Sequence, residues 1–167
     1  ERKRQMTDLE HLPPPLRAVS GRPLFVMNLA VNAIHVAGGP DGMERRVGDI
    51  AGGTFSGDRL SGDVLPGGTD WQIARADGAV TIDARVVLRT EDDALIAMDY
   101  VGIRHGPSEI MARIAKGEAV DPASYYFRMT PRFSTSAPRY EWLNRILATG
   151  IGHRLAGGPV YSIFELL

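Results

Sequence analysis

Strand-length segments separated by turn residues fill most of this chain. In residues 79–90 every even-numbered position from 80 to 88 is apolar, whereas Thr81, Asp83, Arg85 and Arg89 share the other side. Asp77-Gly78, just before this segment, is a hairpin signal because it tolerates a positive φ. The turn signals leave no room for the crossover helices of a parallel sheet. The pattern therefore predicts a mainly all-β fold, an antiparallel barrel or curved meander of roughly eight to ten strands.

The order of elements follows from the same reading. Strands are predicted at 24–35, 45–53, 54–64, 69–75, 79–90, 94–104, 125–133, 146–154 and 160–167. The one convincing helix spans residues 107–116, with an early proline, an apolar stripe and a terminal glycine. Residues 138–144 predict a turn or a short helix. Residues 1–20, which contain three consecutive prolines, predict an extended arm before a single domain at 21–167.

Composition excludes several classes of function. The 167 residues are the size of one domain, and 19 Lys and Arg against 20 Asp and Glu give a net charge of -1, which disfavours nucleic-acid binding. The absence of cysteine suits a cytoplasmic location, and no apolar run is long enough to cross a membrane. The four histidines lack metal-ligand spacing, and no glycine-rich phosphate loop is present. We therefore expect neither a metal nor a cofactor.

Two distant segments carry the chemistry. Residues 67–72 place Asp70 after two glycines and before Trp71, so burial beside the indole predicts a raised pKa and general acid or base work. The alternative is a turn aspartate that accepts backbone hydrogen bonds. Residues 125–133 place Arg128 on the same face as Tyr126, where its guanidinium can clamp a carboxylate or an enolate. The alternative is an ion pair with an aspartate across the sheet, Asp83 or Asp99.

Further candidates have weaker support. The hydroxyl of Tyr100 is either a weak acid in the cavity or part of the barrel packing. Asn32 lies on a partly polar strand face, and Asp83 either contacts substrate or neutralises Arg85. Trp142 is either a plug that stabilises the fold or a contact for the ligand. The predicted substrate contacts are Asn32, Asp83 and Trp142, together with Trp71 and Tyr126.

The combination of residues 67–72, 126–133 and 140–144, followed by Gly150-Ile151-Gly152, resembles the bacterial and fungal family known as domain of unknown function 3237. The likeness covers the chain from about Leu24 onward. It implies an antiparallel barrel of the lipocalin or allene-oxide-cyclase type that associates into oligomers, and it implies no settled reaction. The resemblance also implies a glutamate before Thr135, where this chain has Ser134.

These observations predict an enzyme that needs no cofactor and acts on a small carbonyl or carboxylate compound. Asp70 would be the acid or base and Arg128 would stabilise negative charge, in a lyase or isomerase reaction such as isomerisation, hydration, elimination or cyclisation. A carrier of small metabolites and a packed structural module are the alternatives. A homo-oligomer is expected because of the proline-rich arm and because residues 146–155 and 160–167 have apolar residues on both faces.

Overall fold

The computed structural model describes residues 8–167, and the first seven residues of the predicted arm lie outside that range. The described strands are β1 (Gly21–Gly38), β2 (Met43–Ser56), β3 (Ser61–Val64), β4 (Gly68–Arg75), β5 (Val80–Thr90), β6 (Leu95–His105), β7 (Tyr126–Ser134), β8 (Ala148–Leu155) and β9 (Gly158–Leu166). The α-helix α1 (Ser108–Ala115) follows β6. Short 3-10 helices span Asp8–His11, Pro14–Leu16, Pro122–Ser124 and Pro138–Arg145.

The strands close into an antiparallel barrel. β1 pairs with β9 on one side and β2 on the other, and β5 to β9 pair in sequence order. The first part of β2 pairs with β4 and its last part with β3, and both short strands also pair with β5. β3 and β4 therefore share one of eight positions around the barrel. The predicted all-β antiparallel barrel with one helix is confirmed.

One predicted strand is divided in two. Residues 54–64 belong to the end of β2 and to β3, because Gly57 donates its backbone N–H to the carbonyl oxygen of Leu60 at 3.0 Å and the chain turns there. The C-terminal segment is a paired strand, as predicted. It lies between β1 and β8 along most of its length.

Strand alternation decides which side chains enter the barrel. Even-numbered residues of β4, β5, β6 and β8 point inward, and odd-numbered residues of β7 and β9 do the same. Apolar side chains from β5 to β9 join those of β1, β2 and β3 in one continuous core, in which Tyr100, Phe127 and Tyr161 are each about 1% exposed. Burial of this surface is the main favourable term in folding.

The two ends of the barrel are built differently. At one end the 3-10 helix Pro138–Arg145, which connects β7 to β8, packs against β7 and buries Tyr140 and Leu143. At the other end, helix α1 follows β6 and buries Ile114, with Met111 packed against the core. We call the α1 end the mouth of the barrel. The β1–β2 hairpin also reaches the mouth, since its turn lies between Gly38 and Met43.

The segment before the barrel contributes no buried residue from Asp8 to Ser20. Its two short 3-10 helices precede β1, which begins at Gly21, next to the predicted domain boundary. The separate arm stays a prediction. Within residues 8–167, no helix has the length and apolar character that a crossing of a bilayer requires.

Candidate active site

Inward-facing polar side chains gather at the mouth of the barrel, where most other inward positions are apolar. Asp70 and Gln72 come from β4, Arg104 from β6 and Tyr161 from β9, and all four are at most 8% exposed. The half-buried Arg154 joins them from β8. A buried polar cluster is costly unless it is satisfied or has a function.

Asp70 presents one bonded and one free oxygen. The Nε2 of Gln72 donates a hydrogen bond to Oδ2 of Asp70 at 2.6 Å, whereas Oδ1 is buried without a partner in residues 8–167. Burial raises the pKa of Asp70 above its ordinary value, although the Gln72 hydrogen bond and the charges of Arg104 and Arg154 oppose this shift. The carboxyl group is therefore suited to hold a proton and to exchange it through Oδ1.

Arg104 is a buried cation without an ion pair among residues 8–167. Its Nε has no hydrogen-bond partner there, and its Cζ stands 5.2 Å from the centre of the Phe127 ring. Burial, followed by the charge of Arg154, lowers the pKa of Arg104. The cation–π contact with the Phe127 ring holds the guanidinium in place, while its Nε–H stays available to a ligand.

Tyr161 is clamped between two aromatic rings. Its ring centre lies 5.6 Å from that of Tyr100 and 5.3 Å from that of Phe127, both in edge-on contacts. Burial and the negative charge of Asp70 raise the pKa of Tyr161, and burial also raises the pKa of Tyr100. Both phenols therefore remain neutral hydrogen-bond donors at physiological pH.

Two neighbouring spaces, which share lining residues, reach this cluster. A cavity of about 300 Å³ at the mouth is lined by Gln72, Arg104, Arg154 and side chains of helix α1. Behind it, an inner space of about 10 Å³ is lined by Asp70, Gly48, Tyr161 and the same two arginines. The inner space has room for about one water or the tip of a ligand. The larger cavity lies at the lower end of the range for small-molecule sites.

The structure separates Trp71 and Asp83 from Asp70, although the sequence predicted Trp71 in the same cavity. Both face outward, and Trp71 is 48% exposed with Arg45 stacked over its ring at 5.7 Å. Successive residues of a strand point to opposite faces, so Trp71 must leave the barrel where Asp70 enters it. The prediction of a shared cavity was wrong for Trp71.

Arg128 and Tyr126 also lie on the outer face. The Cζ of Arg128 stands 4.7 Å from the Tyr126 ring centre, and its Nη1 donates to the carbonyl oxygen of Phe127 at 3.0 Å. Phe127 and Met129 take the inner positions of β7, because burying the more apolar set stabilises the fold. The prediction that Asp70 and Arg128 share one cavity was therefore wrong.

The other predicted contacts lie apart. Asn32 is exposed on the β1–β2 hairpin and donates to Oδ2 of Asp49 at 3.1 Å. Trp142 lies at the end opposite the mouth, where Arg59 stacks over its ring at 4.3 Å. Ser134 is exposed at that same end, so the expected glutamate would also stand away from Asp70. Of the predicted site residues, the structure brings together Asp70 and Tyr100.

Sequence reasoning missed four members of the cluster, which are Gln72, Arg104, Arg154 and Tyr161. A usable signal was present, because Gln72 shares the parity of Asp70 on β4 and Arg104 shares the parity of Tyr100 on β6. No group of three or more metal-ligating side chains occurs in the described part of the chain.

Comparisons with known proteins give the family. The family model described as Protein of unknown function (DUF3237) matches residues 19–166. A UPF0311 protein of Rhodopseudomonas palustris (strain ATCC BAA-98 / CGA009) is 36% identical over 144 residues, 86% of this chain and 94% of the relative. A hydroalkoxylation enzyme of Penicillium herquei is 26% identical over 133 residues, 76% of this chain and 70% of that enzyme.

Solved structures share the barrel. A conserved protein of unknown function from Rhodopseudomonas palustris has a TM-score of 0.87 at 35% identity, over 90% of this chain and 99% of that one. A beta-barrel like protein from Acinetobacter baumannii AYE has a TM-score of 0.80 at 39% identity, over 94% and 99%. An enzyme from Penicillium herquei has a TM-score of 0.69 at 23% identity, over 89% and 95%, which shows the fold.

Proposed function

The chain belongs to the DUF3237 family of proteins of unknown function, and we propose that it is an acid–base enzyme whose catalytic groups are its own side chains. Its substrate is a small carbonyl or carboxylate compound that enters through the mouth. The reaction moves one proton onto the substrate and one proton off it, as in isomerisation, hydration, elimination or cyclisation. The enzyme is of the lyase or isomerase type.

The observation that carries this proposal is the free Oδ1 of Asp70. This atom is buried, has no partner in residues 8–167 and belongs to a carboxyl group that lines the inner space. The raised pKa of Asp70 keeps a larger fraction of the group protonated near neutral pH than an exposed aspartate would have. Gln72 holds Oδ2, so the proton exchanges at Oδ1.

The surrounding groups have complementary roles. Asp70 in its protonated form donates a proton to the substrate, and the resulting carboxylate then accepts a proton from the substrate or from water, which restores the starting state. The hydroxyl of Tyr161 and the guanidinium of Arg104 lie where they can donate hydrogen bonds to an oxygen that gains negative charge. Tyr100 acts as a positioning residue, because it packs against Tyr161.

The fungal relative supports the reaction class. Hydroalkoxylation is the addition of an alcohol O–H group across a carbon–carbon multiple bond, which needs one proton donated and one accepted. The relative named for this chemistry shares 26% identity with the chain. A carrier needs a cavity but no perturbed titrating group, and a structural module needs no cavity. Asp70 and the mouth cavity therefore favour the enzyme.

Solvent-deuterium exchange tests the proposal without a known substrate. The protein is incubated in deuterium oxide with a panel of carbonyl and carboxylate compounds, and proton NMR follows loss of signal next to the carbonyl group or new products. We expect turnover of at least one compound, reduced about 100- to 10,000-fold by Asp70→Asn. The matched control is Asp99→Asn, because Asp99 is exposed on the outer face of β6. Equal rates for Asp70→Asn and wild type would contradict the proposal.

A homo-oligomer is proposed as well. On the outer face of the barrel, Leu147 and Ile151 are exposed apolar side chains of the C-terminal region that motivated the expectation. Exposed apolar side chains that form a contiguous patch are typical of surfaces that associate. Analytical ultracentrifugation at micromolar concentration tests it, and a monomer alone would contradict it.

A further inference from the structure

We infer that the mouth cavity binds the carboxylate group of a small, otherwise apolar substrate, and that Arg104 and Arg154 form its anion-binding pair. This inference rests on the proposed function, because it names the substrate class for the same cavity. Its test uses binding alone, so the two can fail separately.

The first argument is the state of Arg104. A buried cation without a partner is costly, since it has lost its hydration and has gained no hydrogen bonds to an anion. Arg104 is 7% exposed, has a free Nε and lines both the mouth cavity and the inner space. A planar guanidinium donates two parallel hydrogen bonds to a carboxylate. The cation–π contact with the Phe127 ring holds the guanidinium beside the cavity before any ligand arrives.

The second argument is the charge around the cavity. Four arginines line the mouth, but Arg46 already pairs with Glu44 at 2.7 Å and Arg75 pairs with Asp77. Arg104 and Arg154 are the two cations of the lining that have no ion pair among residues 8–167. Asp70 supplies at most one negative charge in return, so the described residues around the cavity carry an excess of positive charge.

The third argument is the apolar side of the same cavity. Ile34, Val80, Met111 and Ile114 line it together with the charged groups. A ligand with one anionic end and an apolar body satisfies both sides, whereas a phosphorylated or highly hydroxylated compound would leave polar groups against Met111 and Ile114. The small inner space admits only the tip of such a ligand, next to Asp70.

Ligand-observed NMR tests this inference with matched probes. The probes are aromatic and aliphatic carboxylates from benzoate to 1-naphthoate in size, each measured beside its uncharged amide. We expect several carboxylates to bind wild type more tightly than their amides do. Arg104→Met should weaken carboxylate binding about 10- to 100-fold, the range for a hydrogen bond to a charged group, and should leave the amides unchanged.

Controls separate the possible outcomes. Arg132→Met removes an exposed arginine from the outer face of β7 and should leave every affinity unchanged. Arg154→Gln provides a second test, since this side chain is half-buried and its loss creates no large internal void. Asp70→Asn should keep or strengthen carboxylate binding, because it removes a like charge. If Arg104→Met weakens carboxylate binding but Asp70→Asn leaves turnover unchanged, the acid–base role of Asp70 is contradicted and the anion-binding inference stands.

The inference is overturned if no carboxylate binds, if the amides bind equally well, or if both arginine variants keep the affinity of wild type. Each of these results would leave the deuterium-exchange test of Asp70 unaffected.

Discussion

The packing of Gly152 against Phe127 permits a quantitative test with a matched pair of variants. An added Cβ at Gly152 would stand 2.5 Å from Cδ1 and 2.7 Å from Cε1 of the Phe127 ring, which is rigid and fully buried. At Gly150, two residues earlier on the same inner face of β8, an added Cβ would meet the Sδ of Met129 at 2.6 Å. A methionine side chain adapts to such a contact more readily than a phenyl ring.

The expected magnitudes follow from this contrast. Overpacking a core costs about 1–3 kcal/mol, and we place Gly152→Ala at the upper end and Gly150→Ala at the lower end. Both variants lose the same chain entropy of glycine in the unfolded state, about 0.4–1 kcal/mol, so this effect cancels in the comparison. A difference of about 1–2 kcal/mol corresponds to a difference in Tm of about 2–8 °C for a chain of this size.

Thermal unfolding followed by circular dichroism measures this difference. Gly152→Ala should also lower turnover and carboxylate affinity, because Phe127 supports both Arg104 and Tyr161. Gly150→Ala should affect both quantities less. If Gly152→Ala melts at or above the Tm of Gly150→Ala, Phe127 is not the rigid support described above.

Three other changes give further predictions. Gly48→Ala should fold normally, since its added Cβ would be at ordinary contact distance, 3.5 Å from Val31 Cγ1 and 3.7 Å from the Cβ of Asp70. It should lower turnover, because the added methyl group would fill part of the inner space. Unchanged turnover would contradict a reaction beside Asp70. Tyr161→Phe should lower kcat about 100- to 1,000-fold with little change in fold, which steady-state kinetics would measure, and an unaltered kcat would exclude the hydroxyl as a donor. Because folding raises the pKa of Asp70, ionisation of this group lowers the free energy of unfolding. This loss of stability is absent below the pKa of Asp70 in the unfolded chain, near 3.8, and reaches its full size above the pKa in the folded protein. Asp70→Asn should therefore gain stability over wild type in urea unfolding as the pH rises, and a gain that is the same at every pH would contradict the raised pKa.

The sequence predicted the barrel because alternation and turn chemistry are local signals. Residues 79–90 show one apolar parity, and Asp77-Gly78 fixes the preceding turn. The paired C-terminal strand and helix α1 were also predicted from local signals. The division of β2 and β3 was missed, since the bend at Gly57 is a tertiary feature of a closing barrel.

The site was only half predictable. Alternation correctly groups Arg128 with Tyr126 and Thr130, but it does not say which parity faces inward. The prediction chose the wrong parity on β7, so it placed Arg128 inside the barrel and Phe127 outside. On β4 the same rule applied within residues 67–72 would have removed Trp71 and kept Gln72 beside Asp70. Arg154 and Tyr161 join the cluster through barrel closure, which brings β8 and β9 opposite β4 and which no local pattern records.

Direct titration of Asp70 tests the central claim, that a buried carboxyl group with a raised pKa faces Arg104 at the mouth of the barrel. Carbon-13 NMR of protein labelled at the aspartate carboxyl carbons gives one curve per residue, and Asp70→Asn identifies the relevant signal by its loss. We expect this signal to titrate above the ordinary value of 3.8 in wild type. It should titrate still higher in Arg104→Met, because the charge of Arg104 lowers the pKa of Asp70. If this signal titrates at or below 3.8 and its pKa is the same in Arg104→Met, the claim of a buried Asp70 with a raised pKa beside Arg104 is contradicted.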